Sequence, residues 1–257
     1  KVTVFNIESG ILKREEPIVQ ELANEYLTEQ GITILNDVTL NSVSNDGNKP
    51  VITADGQNYT FDAVLYATGR KPNTANIGLE NTDITTNERG AIVVNDTCES
   101  SVPGVYAVGD VNGGPQFTYI SLDDFRIVFG ALTGNGQYTL KDRKNIPYTT
   151  FLTPPLARVG LTEEDAINKG YTVKTKEMLV ATMPRAHVND YLKGAFKIVV
   201  NAENNLILGA TLYSQGAEEL INLIKMAMDN NIPYTYFKNQ IFTHPTMAEN
   251  LNDLCNF

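Results

Sequence analysis

The alternation of apolar and polar positions divides the chain into stretches of different character. Val2-Thr3-Val4-Phe5 reads as a strand. From Glu16 to Gln30, the residues Ile18, Val19, Leu22, Ala23, Tyr26 and Leu27 recur at i, i+1, i+4, i+5, i+8 and i+9, one stripe of a helix. Gly31 suits the positive φ of a helix end, and Ile32-Thr33-Ile34-Leu35 follows as a second strand. Strand, helix and strand in that order make a βαβ unit with parallel strands, the building block of a doubly wound sheet.

Between 37 and 61 the runs shorten. Val38–Val43, Val51–Thr53 and Tyr59–Phe61 are β-like and are separated by Asn45-Asp46-Gly47-Asn48 and by Asp55-Gly56, the latter a hairpin signal. Ala63-Val64-Leu65-Tyr66-Ala67 is almost continuously apolar, as in a strand buried on both faces, and ends in Thr68-Gly69-Arg70-Lys71-Pro72-Asn73-Thr74. Residues 75–104 are rich in turn formers, with one short strand expected at Ala91–Val94. A second buried strand, Val105–Val108, ends in Gly109-Asp110. Beyond Gly113-Gly114-Pro115, the segment from Thr118 to Leu132 reads as a helix that Gly134-Asn135-Gly136 stops. From 146 onward the pattern is α+β. Strands are expected at Leu156–Leu161, Tyr171–Glu177, Ala195–Val200 and Leu206–Tyr213. A helix over Ala217–Met228 carries Ala217, Leu220, Ile221, Ile224, Ala227 and Met228 on one face. Short helical pieces surround His244-Pro245-Thr246.

Composition narrows the chemistry. Twenty Lys+Arg against thirty Asp+Glu leave a net charge of −10, without the basic stripe of a nucleic-acid binder. Apolar residues at 42% and charged residues at 19% are ordinary for a globular chain of 257 residues. The two cysteines, Cys98 and Cys255, lie 157 positions apart, which excludes a disulfide framework and a four-cysteine zinc site and leaves two unpaired thiols. Two histidines exclude a His-rich metal site, and no metal ligand set is expected. No apolar run approaches the ~18 residues of a membrane span, and no signal peptide is visible, so a reducing, cytoplasmic setting is expected. The chain opens on Lys1, without an initiator Met and with a strand already under way, which suggests a fragment of a longer protein.

Four places could carry chemistry. Thr68-Gly69-Arg70 stands at the carboxyl end of an expected strand, where ligands bind in open α/β sheets; an ordinary strand-to-turn junction reads the same. At Gly109-Asp110 a carboxylate could accept from sugar or polyol hydroxyls, and the helix starting near Thr118 would favour a negatively charged group; a plain Gly-Asp turn is the alternative. His244 has Glu249 five residues on, a carboxylate able to fix the tautomer and free the other nitrogen for proton transfer; a His held structurally is the alternative. Asn6 ends the strand whose last residue meets the adenosine ribose in a dinucleotide fold, or simply enters a turn. His187 reads as surface, and Glu8, Arg14, Glu15 and Glu16 follow the first strand without an assigned role.

Taken together, four segments in order resemble the pyridine nucleotide–disulfide oxidoreductases, the family of glutathione reductase, lipoamide dehydrogenase and mercuric reductase. They are Ala67-Thr68-Gly69-Arg70-Lys71-Pro72-Asn73-Thr74, Val105-Tyr106-Ala107-Val108-Gly109-Asp110-Val111, Val159-Gly160-Leu161-Thr162-Glu163, and His244-Pro245-Thr246 with Glu249. The stretches from Tyr119 to Arg126, from Thr153 to Leu156 and from Asn250 to Leu254 look most like the reactive-chlorine-resistance flavoprotein branch. The resemblance covers essentially the whole chain. It implies partial doubly wound α/β nucleotide-binding domains followed by an α+β dimerisation domain: 1–66 as the later part of the NAD(P)H domain, 67–141 as the returning segment of the FAD domain, and 142–257 as the interface of a homodimer, with the apolar face of the 217–228 helix and the sheet of that part expected to be buried in it. It implies FAD and NAD(P)H as cofactors. Gly109 and Asp110 would hold the ribityl chain or diphosphate, and Gln116, Phe117 and Thr118 would place backbone near the flavin. Gly69 and Arg70 would approach the nicotinamide cofactor, with Asn6 and Val38 nearer its adenosine end and Phe151 near the nicotinamide. His244 and Glu249 would form an acid/base dyad presented to the partner subunit's site. No Gly-x-Gly-x-x-Gly and no dithiol are present, so the chain alone is expected to be inactive. Asn6 stands where an acid would mark NAD, which leaves the coenzyme open. His244 with a single Cys255 disfavours mercury as substrate. The implied acceptor is a disulfide, an oxidant such as a hypohalous species, or a metal ion. A non-catalytic dimerisation module and an NADH oxidase or peroxidase relative are the alternatives.

Overall fold

The structure, a computed structural model, describes residues 1–257 and divides into two compact units, Lys1–Val64 with Asn145–Phe257, and Leu65–Lys144. The expected parts 1–66 and 142–257 thus lie largely in one unit and 67–141 largely in the other.

The first unit opens with β1 (Val2–Phe5), α1 (Pro17–Glu29) and β2 (Ile32–Leu35), the two strands parallel with Val2 opposite Ile32. Pro17 suits the first turn of α1, where its missing N–H would have no partner. The stripe read from the sequence faces inward: Val19, Ala23 and Tyr26 are buried with Leu156 and Tyr213. Strands β3 (Leu40–Asp46), β4 (Lys49–Ala54) and β5 (Gln57–Thr60) form an antiparallel meander. Its second turn is Asp55-Gly56, with φ of 50° and 75°, the left-handed pair that a two-residue hairpin needs.

The main sheet of this unit is antiparallel, in the order β6 (Tyr148–Thr150), β7 (Leu156–Gly160), β10 (Ile207–Tyr213), β9 (Ala195–Asn201), β8 (Val173–Leu179). Every residue of β9 is buried. Phe196, Ile198, Val200 and Leu212 share a core with Leu220, Ile221 and Ile224 of α5 (Ala217–Asp229). Full burial of such a side chain stabilises by ~1.5–3 kcal/mol. Gly194, at φ +120°, precedes β9 because a Cβ there would lie 1.8 Å from the Tyr213 carbonyl oxygen. Four short helices complete the unit: α3 (Glu163–Asn168), α4 (Pro184–Val188), α6 (Tyr234–Asn239) and α7 (Asn250–Leu254). In the second unit the long element is α2 (Thr118–Thr133), which buries Ile120, Asp124 and Ile127.

Four expectations are corrected. Residues 63–67 form no strand, and Leu65 and Tyr66 are 89% and 67% exposed. Val105–Val108 and Ala91–Val94 contribute only isolated bridges, at Tyr106 and Ile92. An apolar run becomes a strand only where a neighbour pairs its N–H and C=O groups along its length; here the pairing of the latter two runs stops at single bridges and a few loop hydrogen bonds. The fourth concerns α5, whose apolar face was expected to meet a second copy. Its own sheet buries that face.

Candidate active-site residues

The loop between α6 and α7 presents His244. Its Nδ1 lies 2.7 Å from Glu249 Oε2, and the imidazole is 69% exposed. Glu249 Oε1 accepts from the Thr246 N–H at 3.1 Å, so both carboxylate oxygens are engaged. The hydrogen bond from His244 holds the Glu249 carboxyl below the usual range; partial burial opposes this and the Thr246 N–H reinforces it. With Nδ1–H donating to the carboxylate, Nε2 is the nitrogen left for a proton partner. The loop is pinned from behind. Asn252 Nδ2 donates to Phe237 O at 2.7 Å and Gln240 O at 2.9 Å, and the buried Asn250 Nδ2 donates to Met247 O at 3.1 Å. Sequence reading gave Thr246, Asn250 and Asn252 no role of their own. The Thr-x-x-Glu spacing of 246 and 249 was the available signal for the first.

Gly109-Asp110 begins a short turn of 3₁₀ helix in the second unit. Gly109 has φ +74°, and a Cβ on it would lie 2.5 Å from Ser121 Oγ, so only glycine fits against the first turn of α2. The buried Asp124 of α2 accepts from the Gly109 N–H at 2.7 Å and from Asn112 Nδ2 at 2.9 Å, and pairs with Arg143. This internal brace leaves the Asp110 carboxylate exposed. Thr118 starts α2 without a side-chain cap, and Phe117, its N-cap, stacks on Tyr119 at 5.0 Å, with the half-buried Gln116 before it. A solvent-facing carboxylate on a rigid turn, close in sequence to an uncapped helix start, fits the hydroxyl-rich and electron-rich parts of a flavin nucleotide. Asp124, Ser121 and Arg143 escaped the sequence reading because a single buried acid on a helix has no pattern.

The expected site residues divide between the two units. Asn6, Val38, Phe151, His244 and Glu249 belong to the first unit; Gly69, Arg70, Gly109, Asp110, Gln116, Phe117 and Thr118 belong to the second. Asn6 Nδ2 donates to Glu8 O and Gly10 O at 3.0 Å and to Asn36 Oδ1 at 2.9 Å, tying together the ends of β1 and β2. Val38 is buried with Ile52 and Ala54, its N–H on the Asn6 carbonyl. Gly69, at φ +106°, and Arg70 are exposed, as is Phe151 at 81%. His187 is exposed, its Nε2 2.8 Å from Ala181 O. Glu15 and Glu16, without a role in the sequence reading, are buried. Glu15 meets Arg158 at 3.2 Å, and Glu16 meets Lys197 at 3.0 Å. Lys197 also holds Glu163 at 2.6 Å and Glu177 at 3.0 Å. Burial pulls Lys197 toward its neutral form, but these three bonds outweigh it and leave the ammonium more strongly protonated than usual.

Comparison with known proteins places the chain. The family described as "Pyridine nucleotide-disulphide oxidoreductase" matches residues 1–124, and "Pyridine nucleotide-disulphide oxidoreductase, dimerisation domain" matches residues 146–255. A protein of Escherichia coli strain K12 named "Probable pyridine nucleotide-disulfide oxidoreductase RclA" is 42% identical over 99% of this chain and 58% of its own. A mercuric reductase of Staphylococcus aureus is 34% identical over 98% of this chain and 46% of its own. The solved structure of the HOCl-induced flavoprotein disulfide reductase RclA from Escherichia coli superposes with a TM-score of 0.95 at 42% identity, covering 99% of this chain and 59% of that one. The chain therefore spans about half to three-fifths of the length of these relatives. Members of the family are FAD-dependent and use NAD(P)H. Matched along nearly all its length by both parts of one family description, this chain belongs to the pyridine nucleotide-disulphide oxidoreductases.

Proposed function

We propose that this chain supplies the C-terminal part of a homodimeric, FAD-dependent NAD(P)H oxidoreductase. Within it, 1–66 serve the nicotinamide coenzyme, 67–141 complete the flavin site and 142–257 form the dimer interface. Flavin, when bound, provides two-electron relay between the nicotinamide and a dithiol that lies outside this chain. The two cysteines here are poor candidates for that dithiol, since both are buried and neither neighbours the other in sequence. Asp110 accepts from the ribityl hydroxyls beside the diphosphate, on the turn that Gly109 shapes, while Gln116, Phe117 and Thr118 bring backbone toward the flavin ring. Gly69 and Arg70 border the nicotinamide, Phe151 stands on its side, and Asn6 and Val38 mark the adenosine end. The neutral Asn6 does not discriminate against a ribose phosphate as an acid would.

The acid/base role falls to His244. Its Nε2 takes a proton from a thiol of the partner subunit's site and returns it to the departing sulfur or oxidised acceptor. Glu249 holds Nδ1–H and stabilises the imidazolium formed in between. The acceptor is a disulfide, a hypohalous oxidant or a metal ion, in a cytoplasmic enzyme. The observation that carries this reading is the 2.7 Å His244–Glu249 hydrogen bond on a ring that is 69% exposed. The test is His244→Gln in the flavoprotein that contains this chain. Reduction of flavin by NAD(P)H should persist, while turnover of a disulfide or oxidant should fall by ~10²–10⁴-fold, the usual value of a positioned acid/base. Unchanged turnover would refute the role.

A further inference from the structure

We infer that Thr246 is a positioning residue for the dyad: it closes the turn that aims Glu249 at His244 and so selects the Nδ1–H tautomer of an otherwise exposed imidazole. The inference deepens the proton-relay reading and rests on it.

The pairing of His244 with Glu249 does not follow from regular structure. Five residues apart on an α-helix, two side chains point ~140° away from each other. Their contact needs a non-helical turn, and Thr246 builds it. Its N–H donates to Glu249 Oε1 at 3.1 Å, and its Oγ1 accepts from the Glu249 N–H at 3.2 Å, a reciprocal pair in the geometry of a capping box. The same hydroxyl spends its proton on Thr243 O at 2.7 Å, tethering the residue that precedes His244. One side chain thus grips the turn on both sides of the imidazole. With Oε1 fixed by the backbone, Oε2 is the oxygen left for Nδ1. The ring makes no other hydrogen bond or ion pair, and the tautomer of a His is set by the partner of its other nitrogen.

The two histidines make this measurable in the intact chain without flavin. His187 Nε2 faces the Ala181 carbonyl at 2.8 Å, so its neutral ring carries the proton on Nε2, opposite to His244. Imidazole ¹⁵N spectra at about pH 9, where free histidine is neutral, should therefore show two opposite nitrogen patterns, assigned with His187→Gln. Thr246→Val should cut the Nδ1–H to Nε2–H ratio of His244 by about three- to five-fold, the scale of one lost hydrogen bond, and leave His187 unchanged. Thr246→Ser, which keeps the hydroxyl, should retain the wild-type pattern. Glu249→Gln should lose it more completely. If Thr246→Val keeps the wild-type ratio while Glu249→Gln loses it, the inference falls and the dyad stands. If Glu249→Gln also keeps the ratio, both fall. A Ser variant that behaves like Val would overturn the inference as well, so the outcome does not hinge on the stability of one variant.

Discussion

Two thiols and one imidazole illustrate how position decides chemistry in this chain. Cys98 and Cys255 are both fully buried. Burial, with the nearby Asp124 charge adding to it, pushes the Cys98 thiol up to about 11; burial pushes Cys255 up to about 12. A raised thiol pKa means less thiolate, so at pH 8 the Cys98 thiolate is about one part in a thousand of the population. The native chain should therefore react with a thiol reagent far more slowly than the same chain in denaturant, where two thiols should be counted. Rapid native labelling of either would contradict the burial. The sign of the linkage also follows. The protonated thiols are favoured in the fold, so their contribution is complete below the unfolded value of 9.0 and is lost as pH rises toward about 11 and 12. Urea midpoints measured across that alkaline range should decline, and Cys98→Ser should flatten part of the decline. His244 is the opposite case: an exposed ring whose chemistry comes from what holds it.

At the scale of elements, the strongest coupling is ionic. Lys197, at the middle of β9, meets Glu16, at the start of α1, at 3.0 Å. Glu163 and Glu177 share the same ammonium. Glu16 is 2% exposed, so removing the lysine strands a buried carboxylate, whereas Glu163 and Glu177 can recover water. Lys197→Ala should cost ~3–5 kcal/mol, and the double change with Glu16→Gln should cost less than the single one. Thermal denaturation of the three variants measures both. This coupling was not legible in the sequence, because Lys197 and Glu16 are far apart in the chain and a lysine in a strand otherwise reads as a solvent-facing residue. Elements that carry their own periodicity were legible: the stripe of α1, the run of α5, and the Asp55-Gly56 turn all fall where the pattern put them. Elements that depend on a partner were not. Leu65 and Tyr66 have the composition of a buried strand, yet no strand pairs with them and both are exposed. The site divides in the same way. His244 with Glu249 and Gly109 with Asp110 stand out by local spacing, while Thr246, Asp124 and Arg143 act through contacts that folding creates.

For the whole molecule, the question is which surface a second copy would cover. The apolar face of α5 is already spent on its own sheet, so a dimer must draw on what remains outside. The most exposed large apolar residue is Ile241 at 95%, three positions before His244, with Tyr236 at 55% and Met226 at 57% elsewhere in 142–257. An obligate two-fold interface needs ~2,000 Å² or more in total, which isolated side chains of this kind supply only if they lie at its centre. The net charge of −10 opposes association of identical copies, a repulsion that ~0.15 M salt screens beyond about 8 Å. Association should therefore tighten as salt rises from low ionic strength, since the apolar contact is unaffected by screening. If Ile241 lies in the dimer contact, Ile241→Glu places a charge where that contact would exclude water and should shift the chain toward monomer at micromolar concentration, as read by light scattering. A wild-type chain that stays monomeric at that concentration in 0.15 M salt would remove the dimer from the reading. A dimer indifferent to Ile241→Glu would place its contact elsewhere, away from the loop that carries the imidazole.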